Sequence, residues 1–209
     1  MDERVTETRW ERLTLLLEPI HAPAVTTARR LCRSAADGDD LYQETVLRAF
    51  QKLDALRDEA SFRPWFFSIL LSRHRTRTRR PFWRRFASLD DARERGREPV
   101  GERGEEWAER TVRAERMARA LAQLPDVQRE AIVLFEMQDF SIEEIATMQR
   151  ASVSAVKTRL ARGRVALRRE YERRGWAPRV AEAPPARPFD APAPISTVVL
   201  AARENVHDR

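Results

Sequence analysis

The chain has 209 residues, with 39 Lys and Arg against 33 Asp and Glu, for a net charge of +6. One cysteine (Cys32) excludes an internal disulfide framework and a multi-cysteine metal site, and three scattered histidines offer no metal or catalytic cluster. Six glycines argue against a phosphate-cradling loop and a turn-rich β fold, and no apolar run approaches the roughly 18 residues of a membrane span, so the expectation is a soluble, all-α, intracellular protein.

Helical periodicity governs the first half. Residues 8–18 place Trp10, Leu13, Leu16 and Leu17 on one side, and residues 23–34 do the same with Val25, Ala28, Leu31 and Cys32. Asp39 or Asp40 is suited to cap a helix reaching Leu53, with Leu41, Val46, Leu47, Phe50 and Leu53 inward. Ser61 is suited to cap the next, with Pro64 in its first turn and Pro81 ending it after Arg80. Its first half holds Phe62, Trp65, Phe66, Ile69 and Leu70, and the sequence assigns Trp65 and Phe66 to the core rather than to base stacking. Its second half is almost entirely arginine and threonine.

Residues 86–105 hold Gly96, Pro99, Gly101 and Gly104, and they predict a flexible linker. Helices over 106–123, 126–137, 141–148 and 153–174 are expected next, with Pro125 and Gln138-Asp139 as breaks. Beyond Trp176 lie six of the twelve prolines, interleaved with alanine, which predicts a disordered tail over 176–209.

The charge is not spread evenly. Residues 73–85 carry seven arginines and no acid, and residues 150–174 carry nine bases against Glu170 and Glu172. Each segment is therefore +7, leaving −8 on the rest. Two basic patches on an acidic chain suggest two contacts with one polyanion. Arginine-rich solvated faces are the plain alternative, since the chain has only two lysines, Lys52 and Lys157.

The most specific local pattern is Ile142 to Leu160. Ser141 and Glu144 form a capping box, and Ile145, Ala146 and Met148 face inward. After a turn at Arg150, Val153, Val156 and Leu160 give the apolar side of a second helix. That is helix-turn-helix spacing, with Ser154, Lys157, Thr158, Arg159 and Arg162 outward to meet phosphates and base edges. The turn requires a residue at φ > 0 where Arg150 stands. No carboxylate pair, nucleophile–base set or metal-ligand cluster occurs at recognisable spacing, so no enzymatic activity and no cofactor are expected.

The two halves together resemble the bacterial sigma-70 family of RNA polymerase sigma factors, in its two-domain, extracytoplasmic-function type. The resemblance rests on residues 39–50 (DDLYQETVLRAF), 61–70 (SFRPWFFSIL), 124–131 (LPDVQREA), 142–146 (IEEIA) and 156–162 (VKTRLAR), in that order. It implies a domain over 8–85 that binds core polymerase and the −10 element, the linker, and a domain over 106–175 that reads the −35 element. It further implies that Asp40, Gln43, Glu44 and Arg48 dock on the clamp helices of the polymerase β′ subunit, with the β subunit as a further contact. Arg63, Ser72, Arg73, Arg75, Thr76, Arg77, Arg79 and Arg80 would serve the −10 element, and Ser154, Lys157, Thr158, Arg159 and Arg162 the −35 element. Promoter DNA and an anti-sigma factor are the implied partners, and the cytoplasm the implied compartment.

The chain departs from the family pattern at Ser72 and Thr76, where Asn and Asp are frequent, at Ser154-Ala155, where Gly-Thr is frequent, and at Gly163, where Ala is frequent. The first two departures bear on its −10 preference, and those in the recognition helix mean that the sequence read there is not transferable from the family. A stand-alone helix-turn-helix regulator and a sigma-like decoy that does not melt DNA remain as alternative readings.

Overall fold

The computed structural model describes residues 3–79 and 105–176. Among these residues it is helical with no strand. The predicted linker and tail, apart from their edge residues Glu105 and Trp176, lie outside the described residues, as does Arg80.

The first unit contains α1 (Glu3–Leu17), α2 (His21–Leu31), α3 (Ala35–Lys52) and α4 (Phe62–Arg79), with single 3-10 turns at Glu18–Ile20, Leu53–Ala55 and Glu59–Ser61. The apolar stripes predicted for these helices meet in one core. Trp10 of α1 stacks on Phe50 of α3, with ring centroids 3.9 Å apart. Leu13, Leu17, Leu31, Leu41, Leu53, Phe66 and Phe67 are fully buried. Burying side chains of this size contributes about 1.5–3 kcal/mol each. A buried polar pair crosses this core, with the Tyr42 hydroxyl 2.8 Å from His21 Nδ1. Burial pushes the Tyr42 phenol well above its ordinary pKa, so the hydroxyl keeps its proton.

Two helix starts differ from expectation. α3 begins at Ala35, capped by Ser34, whose hydroxyl accepts the Asp37 N–H at 3.1 Å. Asp39 and Asp40 lie inside the helix, as does Gly38, which is buried. A Cβ at Gly38 would lie 2.4 Å from Arg29 Cα, so glycine permits α2 and α3 to cross backbone to backbone. At α4, Asp58 rather than Ser61 accepts the backbone N–H, from Ala60 at 3.0 Å, and Ser61 donates its hydroxyl to Asp58.

The second unit contains α5 (Glu105–Ala122), α6 (Asp126–Ile132), which continues as a π-helical turn over Val133–Met137, α7 (Ile142–Gln149) and α8 (Val153–Arg173). Leu121, Leu124, Ile132, Val133, Leu134, Phe140, Ile145, Met148, Val156 and Leu160 form its interior. A Cβ at Gly163 would lie 2.9 Å from Ile132 Cγ1, so its small size lets α8 lie close against α6.

The two units pack together, α4 on α7 and α2 on α5 and α6. Arg129, 4% exposed, stitches the contact. Its guanidinium donates to the carbonyls of Leu121 (2.8 Å), Leu124 (2.9 Å) and Ala122 (3.2 Å) at the end of α5, and to Leu31 (2.6 Å) at the end of α2. Carbonyls at a helix C-terminus have no intrahelical partner and carry partial negative charge, so one buried cation serves two helix ends. Burial is also what lowers the Arg129 pKa from its ordinary value.

Candidate nucleic-acid and polymerase interface

The helix-turn-helix forms as its spacing predicts. Ser141 accepts the Glu144 N–H at 3.2 Å, and Glu144 accepts the Ser141 N–H at 2.8 Å, closing the capping box. α7 ends at Arg150, whose φ of 48° and ψ of 52° lie in the left-handed region. The Ala151 N–H reaches back to the Ala146 carbonyl at 2.9 Å, so the chain turns tightly over a small side chain. Ser152 then caps α8 by accepting the Ala155 N–H at 3.1 Å. Val156, fully buried, fills the angle between α7 and α8.

This geometry turns Ser154, Lys157, Thr158 and Arg162 into solvent. Lys157 and Arg162 have no carboxylate partner among the described residues, so their charge is available to phosphates. The Thr158 hydroxyl donates to the Ser154 carbonyl at 3.0 Å. Arg159 differs from the rest. It is half-buried, and its Nη1 donates to Gln149 Oε1 at 2.6 Å.

On α4, Ser72, Thr76 and Arg79 form an exposed line, with the Thr76 hydroxyl bonded to the Ser72 carbonyl at 2.9 Å. The other described arginines of the predicted set are engaged. Arg73 Nη2 is 3.0 Å from Glu44, and Arg77 lies 3.2 Å from Asp37 and 3.3 Å from Glu44. Arg75 and Arg63 reach the second unit instead, Arg75 to Glu130 and Arg63 to the Gln138 carbonyl. Phe66 is fully buried, as expected for a core residue, whereas Trp65 is half-buried against Phe62 at 5.7 Å.

Asp40, Gln43 and Arg48 are exposed on α3, and Glu44 is half-buried beside them. Arg48 bonds Gln51 at 2.9 Å, and Asp40 is 4.0 Å from Arg77. The acids expected to meet polymerase thus share a mixed-charge surface with the arginines expected to meet DNA. The Arg73–Glu44 pair, exposed on both sides, is worth about 0–1 kcal/mol, so a competing partner displaces it at little cost.

The sequence reading assigned no part in this contact to Glu130, His74 or Gln149. The Glu130 carboxylate is fully buried, with His74 Nδ1 at 3.2 Å, Arg75 Nε at 3.1 Å and Gln149 Nε2 at 3.2 Å. Burial by itself raises a carboxyl pKa. Here the hydrogen bonds and charge of His74 and Arg75 outweigh it, and Glu130 falls below its ordinary value. An Arg-Glu pair followed by the apolar run Ala131-Ile132-Val133-Leu134 was the available signal, because charges so placed must be paired once buried.

Among the described residues no group of His, Cys, Asp and Glu is placed to hold a metal, and no helix is long and apolar enough to cross a membrane.

Comparison with known proteins adds the following. Residues 16–85 match the family described as Sigma-70 region 2, and residues 114–167 match Sigma-70, region 4. The ECF RNA polymerase sigma factor SigM of Mycobacterium tuberculosis is 33% identical over 145 residues, 68% of this chain and 68% of its own length. RNA polymerase sigma factor YlaC of Bacillus subtilis is 30% identical over 130 residues, 62% of this chain and 75% of its own length. Among solved structures, CnrH in complex with the cytosolic domain of CnrY is similar at a TM-score of 0.56 and 25% identity, covering 82% of this chain and 97% of CnrH. The sigma factor RpoE in complex with the anti-sigma factor NepR from Bartonella quintana shares the fold, at a TM-score of 0.57 and 24% identity, covering 78% of this chain and 95% of RpoE.

Proposed function

This chain belongs to the sigma-70 family of RNA polymerase sigma factors, in its extracytoplasmic-function type, and we propose how its two helical units divide the work. It is a promoter-specific initiation factor that acts with core RNA polymerase and promoter DNA. In the proposed division, the outer face of α3, through Asp40, Gln43, Glu44 and Arg48, docks on the β′ clamp helices. α4 serves the −10 element through Ser72, Thr76, Arg79 and Arg80, together with the arginines 63, 73, 75 and 77 once these leave their present partners. α8 lies in the major groove at the −35 element, with Ser154, Lys157, Thr158, Arg159 and Arg162 toward phosphates and bases. Residues 86–105 join the two units as a tether, so that each contact raises the effective concentration of the other.

The observation that carries this reading is the pairing of a capped helix-turn-helix with a separate arginine-rich helix, in the chain order of regions 4 and 2 respectively. The solved neighbour CnrH is described in complex with the cytosolic domain of CnrY. An anti-sigma protein is the corresponding partner proposed here. The chain itself performs no catalytic step, because nucleotide addition is the work of the polymerase, and its place of action is the cytoplasm, where that polymerase works.

Run-off transcription with core polymerase and a library of genomic promoter fragments tests the proposal. Initiation on a defined subset of fragments is expected, with permanganate-reactive thymines at the −10 position. Stable binding to core with no initiation on any fragment overturns it in favour of a decoy. A symmetric footprint from a dimer without polymerase overturns it in favour of a stand-alone regulator.

A further inference from the structure

Among the described residues, two that are not glycine have a positive φ, Asp139 (53°) and Arg150 (48°). Aspartate tolerates this region because its short polar side chain can bond locally. Arginine lacks that compensation, and its Cβ crowds the following carbonyl. The helix-turn-helix needs the conformation at position 150, where the Arg150 N–H closes on the Thr147 carbonyl at 3.1 Å and the Ala151 N–H on that of Ala146 at 2.9 Å. Glycine would meet the need without strain. The Arg150 side chain recovers nothing within the fold. It is exposed, and its guanidinium forms no ion pair or hydrogen bond among the described residues. Glu143 lines the same shallow cleft and is not paired with it. That cleft is also lined by Thr147, Ser152 and Val153, so it ends where α8 begins.

We propose that Arg150 is a phosphate anchor, whose guanidinium contacts the sugar-phosphate backbone at the edge of the major groove that α8 enters. The inference rests on the reading of α8 as the promoter-reading helix. In such a motif the second helix meets base edges with its N-terminal residues while the first crosses the backbone, so the turn between them lies beside the bordering strand. The guanidinium fork matches two phosphate oxygens. A contact there is independent of base sequence. It fixes the register at which Ser154 and Lys157, four and seven residues further on, meet the groove. The strain at position 150 is thus offset on DNA and not in the free chain, and the turn becomes a place where stability and binding oppose each other.

The test uses the full chain. Fluorescence anisotropy reads affinity for a mixed-sequence duplex of about 30 base pairs over a salt series around about 0.15 M, and urea unfolding followed by circular dichroism reads stability. Arg150→Gly is expected to raise the urea midpoint, because it relieves the turn. It is also expected to bind about three- to tenfold more weakly, with the slope of log K against log salt reduced by about 0.9. Arg150→Lys keeps both the charge and the strained backbone, so its slope and midpoint should match wild type. Lys52→Gln removes one charge from an exposed site at the end of α3 and should change the slope by less than about 0.3. Asp139→Gly, at the other positive-φ position, should raise the midpoint without weakening binding. An Arg150→Gly chain that binds no more weakly than Lys52→Gln overturns the anchor. A midpoint for Arg150→Gly no higher than wild type also overturns it, since the turn would then hold no strain for DNA to offset. Lys157→Ala separates the two readings. If it too leaves the affinity unchanged, the promoter-reading assignment of α8 has failed, whereas a loss with Lys157→Ala alone removes only the anchor.

Discussion

Gly38→Ala pits two opposing effects against each other at one position. Alanine in place of a helical glycine gains about 0.8–1 kcal/mol of helix propensity, so local reasoning predicts stabilisation. The crossing of α2 and α3 predicts the reverse. The added methyl would lie 2.4 Å from Arg29 Cα, 2.7 Å from Arg29 N and 2.8 Å from Arg29 Cγ, and two of these three atoms are backbone. Backbone does not rotate aside, so the helices must separate, and overpacking of this kind costs about 1–3 kcal/mol. Separation also strains the Arg29–Asp39 bond of 2.7 Å. The net expectation is a loss of up to about 2 kcal/mol, seen in urea unfolding followed by circular dichroism as a lower midpoint at unchanged slope. Gly163→Ala is the internal control. Its nearest atoms are the side-chain carbons Ile132 Cγ1 at 2.9 Å and Cδ1 at 3.3 Å, with backbone no closer than 3.6 Å, so Ile132 has to shift but the helix axes need not separate, and the gain in helix propensity offsets that cost. That variant is expected within about 0.5 kcal/mol of wild type. A Gly38→Ala protein more stable than wild type would refute the crossing argument.

Lys157→Ala combined with Arg159→Ala is expected to weaken binding to the upstream promoter element and to reduce the slope of log K against log salt by about 1.8, with core binding unchanged; loss of core binding would misplace both residues. Glu130 contributes to stability where it is ionised and paired. Because its folded pKa lies below the ordinary value of 4.5, that contribution is complete above pH 4.5 and is lost as pH falls through the lower folded pKa. Urea unfolding between about pH 3 and 6 should therefore show a declining acid limb that Glu130→Gln flattens, and an unflattened limb would assign the acid sensitivity elsewhere. Cys32 is half-buried, and burial pushes its thiol up to about 12, against the opposing charge of Arg77. Iodoacetamide at about pH 8 should modify it at least about 100-fold more slowly in the native chain than in urea, and rapid native labelling would contradict that burial.

Much of the fold was legible because each helix announces itself within its own length. The stripes through Trp10–Leu17, Leu41–Phe50 and Phe62–Leu70 became the first core, and Val156 and Leu160 became part of the second. The capping box at Ser141 and the left-handed residue at Arg150 were set by positions three to nine residues apart. The start of α3 was not legible, because Ser34 and Asp39 or Asp40 are equally good caps by residue type. Only the neighbouring backbone of Arg29 explains why Gly38 is helical. The exposed line of Ser154, Lys157, Thr158 and Arg162 followed from helical geometry alone. Arg159 belongs to the same pattern, but its tie to Gln149 does not show in that pattern.

The sequence by itself determined the helices, the helix-turn-helix and the division of a modest +6 into two strongly basic segments. Each is a local property, fixed by residue type and a period of 3.6. The tertiary structure alone decided which of those charges are available. Glu130 meets Arg75 across 55 residues, and Arg129 meets the Leu31 carbonyl across 98, and no periodicity encodes a partner at that distance. A basic side chain on a helix face reads the same whether it faces water, as Lys157 and Arg162 do, or is folded against a buried carboxylate like Arg75. Packing makes that distinction, because desolvation requires each buried charge to find its counterpart.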